Sequence, residues 1–210
     1  MTVQASPNRE CAPASIPITP SILYYGTPVA LISSLNPDGS PNLAPMSSSW
    51  ALGQNVVLGL GAAGQTVGNI RRQGQCVINL PDTDMWEAVE RLAPLTGRDP
   101  IPDHKQETFR FEQRKFEAAQ LTPVPSERVA PPRVLECQLQ LEAELRNLHR
   151  GSSGSFYIAE VEVVRVHADP AIVIDGSSHV DTSRWHPLLY VFRHYFSTGP
   201  RVGRTFRAEY

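Results

Sequence analysis

The clearest pattern in the chain covers residues 135–146. Leu135, Cys137, Leu139, Leu141, Ala143 and Leu145 alternate there with Glu136, Gln138, Gln140, Glu142, Glu144 and Arg146. A period of two predicts a long strand with one apolar and one wet face. After a glycine-rich turn at residues 151–154, a second long strand is predicted over residues 156–167. Its alternation breaks at the adjacent Val163 and Val164, which predicts a β-bulge where the strand bends. Upstream, the apolar run 28–35 ends in Asn36-Pro37-Asp38-Gly39, a turn signal, and residues 41–50 follow at once. The two segments read as an antiparallel hairpin. Residues 55–60 make a third strand, 66–72 a short helix and 75–80 a fourth strand. Residues 82–93 carry a helical pattern, with Asp82 as N-cap and Met85, Trp86, Val89 and Leu92 as its apolar stripe. Residues 94–132, rich in proline and charge, read as loops with a short helical turn outside the main body. The fold class is mainly β, and long bent strands joined by tight turns favour a small closed antiparallel barrel over an open sheet.

Composition narrows the function. The 210 residues suit one sizeable domain, and 19 Lys plus Arg against 21 acids give a net charge of −2. No basic run suggests binding to nucleic acid or an anionic membrane, and the longest apolar stretches are strand-sized. Residues 1–20, with Pro7, Pro13, Pro17 and Pro20, read as an extended arm that is disordered or wraps a partner subunit. No basic segment leads into an apolar one there, so the arm is not a signal peptide. Cys11, Cys76 and Cys137 are odd in number and far apart, which fits a reducing cytoplasm, with Cys76 and Cys137 as small buried apolar residues. The histidines show no metal-ligand spacing.

Two segments carry the chemistry. Residues 42–50 read Asn-Leu-Ala-Pro-Met-Ser-Ser-Ser-Trp, and Thr66-Val67-Gly68-Asn69-Ile70 opens the short helix. The first offers hydroxyls and backbone amides around a proline-stiffened bend. The second offers Thr and Asn three apart at a helix start. Such groups suit a phosphate that carries a flat apolar ring, because amides and hydroxyls hold an anion without a basic patch.

With the strand at residues 75–80, these segments resemble the flavin reductase-like family of FMN-binding split barrels. Residues 155–167 are similar to that family's late barrel strand. His186-Pro187-Leu188-Leu189-Tyr190 and Arg193-His194-Tyr195-Phe196 are similar to its C-terminal strand and following turn. The resemblance implies a split barrel over residues 21–210 with a few peripheral helices and an insertion at 94–132. It implies flavin contacts from Asn42, Ala44, Pro45, Met46, Ser47, Ser48, Ser49 and Trp50, and phosphate contacts from Thr66 and Asn69. Trp50 reads equally as a core aromatic, Thr66 as a helix cap and Asn69 as a structural amide. Family members often carry Lys or Arg just ahead of this Thr, where Gly64 and Gln65 stand here. The phosphate then relies on amides, hydroxyls or an arginine from elsewhere, such as Arg71 or Arg72. Arg193, His194 and Tyr195 either approach the cofactor or are a solvated arginine and barrel residues. The implied cofactor is FMN rather than FAD, with NAD(P)H as donor. The implied assembly is a homodimer with the flavin near the interface, and a monooxygenase or another acceptor takes the electrons.

Two other readings stand beside it. One is a flavin-binding electron carrier without NAD(P)H turnover. The other starts from Gly59-Leu60-Gly61-Ala62-Ala63-Gly64, which matches the dinucleotide-binding glycine pattern. Against a Rossmann-type dehydrogenase stand the short helix that follows, the hairpin before it and the lack of further strand–helix alternation.

Overall fold

The computed structural model describes residues 15–208; Cys11 and most of the expected N-terminal arm lie outside them. The elements are β1 (Tyr25–Pro28), β2 (Ala30–Leu35), β3 (Pro41–Met46), β4 (Ser49–Leu52), β5 (Asn55–Gly61), α1 (Gln65–Gln73), β6 (Gln75–Leu80) and α2 (Trp86–Leu92). There follow β7 (Leu95–Thr96), β8 (Arg110–Phe111), α3 (Lys115–Ala119), β9 (Pro123–Val124) and β10 (Arg133–Val134). The long pair β11 (Leu139–Arg150) and β12 (Phe156–Ala168) precedes β13 (Leu189–Val191) and β14 (His194–Phe196).

Seven strands form one antiparallel sheet in the order β3-β2-β6-β11-β12-β5-β4. Its two edges, β3 and β4, are neighbours in sequence, joined only by Ser47 and Ser48. Three Cα–Cα steps span at most about 11 Å, so the sheet must curl until its edges nearly meet. No ladder joins them. The expected closed barrel is therefore a split one, and the expected single strand over residues 41–50 is broken at the seam.

The bulge is where the valine pair predicts it. Glu142 pairs with Arg165 and Ala143 with Val163, which leaves Val164 as the extra residue. β2 is buried on both faces, which explains its continuous rather than alternating apolar run. Ala30 and Ile32 face the barrel interior with Leu58, Ile70, Ile78 and Val161. Val29 and Leu31 face a second core beneath α2 and α3, with Leu43, Val89, Leu92 and Phe116.

Three expectations change. The long strand begins at Leu139, and Leu135 is exposed on the approach to it. Its polar face is not wet: Gln140 and Glu142 are buried beneath the segment 123–137. Gln140 Nε2 donates to the carbonyls of Val134 (2.8 Å) and Cys137 (2.6 Å), while Glu142 accepts from the N–H groups of Glu127, Arg128 and Val129. Asn79 Oδ1 accepts from Val134 N–H at 2.8 Å. These polar side chains hold a strap of chain whose own ladder is only the two-residue pair β9–β10. Finally, the helical pattern at 82–93 divides into a 3₁₀ turn capped by Asp82 and the helix α2, with Trp86 on the exposed side.

Candidate functional site

α1 starts at Gly64 in an extended conformation and has no side-chain cap and no acidic residue in its first turn. Its leading amides are therefore left free by the chain's own caps. Thr66 is not the cap; it lies inside the first turn, buried, and its Oγ1 accepts from Asn42 Nδ2 at 3.1 Å. Asn69, also buried, donates to Ser34 Oγ (3.1 Å) and Asn36 Oδ1 (3.0 Å) and accepts from Gln65 Nε2 (2.9 Å). Asn42 Nδ2 reaches Ser34 Oγ as well, at 3.3 Å. Asn42, Thr66 and Asn69, distant in sequence, thus share one buried polar network on β2, β3 and α1. One atom in it has no partner, Asn42 Oδ1.

Further along β3 a cavity of about 410 Å³ opens at the seam of the barrel. Ala44, Pro45, Met46 and Ser47 form one wall. Val89, Glu90 and Ala93 of the α2 region form another, with Tyr190 and Tyr195 from the C-terminal hairpin. Leu95, Lys105 and Phe109 close it from the segment after α2, and Tyr24 joins from the N-terminal side. The ring of Tyr190 lies 5.5 Å from that of Tyr24 and 5.6 Å from that of Tyr195. Tyr195 donates to Glu90 Oε1 at 2.7 Å; burial and this bond hold its phenol well above the usual range, so it stays a donor. Asn42 and Ala44 are two residues apart on β3, about 7 Å, which separates the cavity from the α1 network by the length of a short flexible arm.

The seam divides the remaining candidates. Ser48 and Ser49 do not line this cavity; they line an apolar groove of about 740 Å³ shared with Tyr25, Thr27, Val57 and Ile158. Ser48 Oγ hydrogen-bonds Tyr24 Oη at 2.7 Å. Trp50 lines the same groove and is 59% exposed, so it is not a core aromatic. Arg72 Nη2 donates to the Leu35 carbonyl, and Arg71 is exposed at the far end of α1. Arg193 is exposed at the tip of the β13–β14 hairpin with φ 71° and does not line the cavity. Within the glycine motif Gly59 has a steric reason: a β-carbon on it would stand 2.9 Å from Ser48 Cβ, whereas one on Gly61 would meet nothing within 4 Å. Its strand β5 pairs antiparallel on both sides, which removes the parallel unit a Rossmann site requires.

The resemblance implies that the insertion at 94–132 covers the site or builds the dimer contact, but sequence reasoning did not name the residues it contributes. Lys105 lies with its Nζ 5.0 Å from the Phe109 ring centroid, and burial lowers its ammonium. Burial, with Lys105 nearby, pushes Lys115 down to about 8 against a weaker upward pull from Glu112. Gly97 packs against Asn42 and Gln65. Their signal in sequence is only a cluster of cations in a segment without periodicity. Cys76 and Cys137 are buried, and burial pushes the Cys76 thiol up to about 12; neither lies at the cavity. Among the described residues no helix is long and apolar enough to cross a membrane.

Residues 22–199 match the model of the flavin reductase like domain. An uncharacterised Bacillus subtilis protein, YdfE, is 45% identical over 194 residues, covering 91% of this chain and 93% of its own. Among solved structures, flavoredoxin of Desulfovibrio vulgaris superposes with a TM-score of 0.76 at 22% identity, over 93% of this chain and 99% of that one. Nitrilotriacetate monooxygenase component B from Bacillus cereus gives 0.73 at 20% identity, over 92% and 100%. Pseudomonas fluorescens 2-nitrobenzoate 2-nitroreductase gives 0.72 at 22%, over 88% and 86%. The chain belongs to the flavin reductase-like domain family, and is an oxidoreductase of the flavin reductase type.

Proposed function

We propose that this family member binds FMN and reduces it with NAD(P)H, the ring in the seam cavity and the phosphate at α1. The observation that carries the reading is the placement of two complementary sites on one strand. Ala44–Ser47 wall a cavity lined by apolar and polar groups together, and Asn42, two residues back, meets Thr66 beside free helix amides. The residues fit such a ligand. The cavity lies in the range of roughly 300–1,000 Å³ usual for small-molecule pockets, and the uncapped first turn of α1 leaves amide donors free for an anion. A single phosphate-sized site favours FMN over FAD.

Bound flavin supplies the hydride and electron chemistry itself. The chain's part is positioning. Pro45 stiffens the wall at the ring, Tyr24, Tyr190 and Tyr195 give it an aromatic side, and Tyr195 keeps its proton. Phe109 and Lys105 shield the cavity from the side of the insertion. The apolar groove holding Trp50, with Leu52 74% exposed nearby, supports a homodimer interface beside the site. Reduced flavin then serves a monooxygenase or another acceptor in the cytoplasm.

The test is an anaerobic visible spectrum of the protein with FMN, before and after NADH or NADPH. A shifted flavin spectrum that bleaches far faster than free FMN supports the reductase. A shifted spectrum that stays oxidised points to a carrier. An unshifted spectrum without bleaching refutes the flavin assignment to this cavity.

A further inference from the structure

We infer that Arg98, on the loop after β7, is the cation that binds the flavin phosphate, an inference that rests on the FMN reading above. No basic residue stands just ahead of Thr66, where Gly64 and Gln65 lie, and the nearest arginine on α1 with a defined partner, Arg72, is turned to the Leu35 carbonyl. The Gly97–Arg98 loop instead lies along the first turn of α1. A β-carbon on Gly97 would stand 2.7 Å from Asn42 Oδ1 and 3.2 Å from Gln65 Cβ, so glycine is what permits the approach. Arg98 Nη2 lies 3.8 Å from where a β-carbon on Gly68 would stand. The Arg98 backbone N–H donates to Thr96 Oγ1 at 3.2 Å, which ties the loop to β7 at the cavity wall. Among the described residues, the Arg98 side chain has neither a hydrogen bond nor an ion pair. A half-buried guanidinium without an anion is poorly solvated and poorly paired.

Asn42 supplies an independent observation. It is 1% exposed, and its unpartnered Oδ1 faces Gly97. Ser34 Oγ accepts from Asn42 Nδ2 and from Asn69 Nδ2, so the Ser34 hydroxyl proton finds no acceptor in the network. A half-turn of the Asn42 amide corrects both defects. Its oxygen then accepts from the hydroxyls of Ser34 and Thr66, and its NH₂ points toward Gly97 as a free donor. The α1 amides, the Asn42 NH₂ and the Arg98 guanidinium then converge on one anion. A guanidinium grips phosphate with two parallel N–H bonds, a geometry lysine lacks.

The experiment titrates FMN and riboflavin, which lacks the phosphate, against the parent, Arg98→Ala and Arg98→Lys, by flavin fluorescence. Circular dichroism melts verify that each variant folds. The expected result is a loss of about 10- to 100-fold in FMN affinity for Arg98→Ala, unchanged riboflavin affinity, and partial recovery in Arg98→Lys. Equal losses for FMN and riboflavin, or no loss for either, overturn the inference. So does a phosphate-dependent loss in Arg71→Ala or Arg72→Ala with Arg98→Ala unaffected. A parent protein that binds neither flavin removes the FMN reading itself, an outcome distinct from the others.

Discussion

Glu142 Oε1 lies 2.6 Å from His167 Nε2, with the glutamate fully buried between β11 and the strap that crosses it. The same carboxylate accepts from three strap N–H groups, those of Glu127 (2.9 Å), Arg128 (2.6 Å) and Val129 (3.2 Å). It joins a strand bulge, a histidine and a loop that would otherwise have three unpaired amides.

Burial acts to raise the Glu142 carboxyl, but the strap amides and His167 outweigh it and hold it below the usual value of 4.5. A lowered folded-state value favours the ionised form in the folded chain. The stabilisation is therefore complete above about pH 4.5 and is lost as pH falls through the folded value. Urea midpoints should decline through the acid range in the parent and decline less in Glu142→Gln. At pH 7 that variant should be less stable by about 1.5–3 kcal/mol, the worth of a charge-assisted bond. Parallel acid limbs in the two proteins would remove Glu142 as the cause.

Lys115 has the opposite sign. Its folded value is about 8 against 10.5 in the unfolded chain. Between these values the unfolded state binds more protons, so stability rises with pH from 8 to 10.5, and below pH 8 the charged form carries its full penalty. Lys115→Met should raise stability at pH 7 by roughly 2 kcal/mol and abolish the alkaline rise. NMR titration of the Lys115 side chain gives the value directly.

Two of the three glycines in the dinucleotide-like pattern, Gly59 and Gly61, should behave differently. Gly59→Ala puts a methyl 2.9 Å from Ser48 Cβ and should displace the seam, at about 1–3 kcal/mol of stability. Gly61→Ala meets nothing within 4 Å and should leave flavin binding unchanged. Thermal melts and FMN titration of both variants suffice. A large binding loss confined to Gly61→Ala would revive the dinucleotide reading.

Thr66→Ala removes a hydroxyl beside the free helix amides and should weaken FMN by about 10- to 100-fold. Ser48→Ala should act less strongly, because Ser48 does not line the cavity and its hydroxyl reaches it only through Tyr24. Titration of both variants with FMN decides. FMN affinity at the parent level in Thr66→Ala would move the phosphate elsewhere.

Trp50→Asp places a charge in the apolar groove and should convert a dimer to a monomer in gel filtration coupled to light scattering. A parent that already elutes at the mass of one chain would refute the dimer.

Much of the architecture was legible because strand period and turn chemistry are local. Asn36-Pro37-Asp38-Gly39 makes its turn, with Gly39 at φ 82°, and the valine pair makes its bulge. Part of the candidate site's clustering was legible: Asn42, Thr66 and Asn69 meet in one network, and Ala44, Pro45, Met46 and Ser47 share one wall. The polar face of β11 was misread because alternation records which residues are polar, not what covers them. Gln140 and Glu142 look solvated in sequence and are buried by a strap that has no period of its own.

The sequence by itself determined a mainly antiparallel β chain, its turns, its bulge and the family to which it belongs. Tertiary structure alone decided that β3 and β4 are opposite edges of one curled sheet, so that two consecutive serines face different sides of a seam. It also decided that Gly97 and Arg98 lie against α1, about thirty residues away in the chain. Periodicity encodes a residue's neighbours within its own element. Contact between elements depends on how the sheet curls and on how closely a residue without a side chain lets two backbones approach.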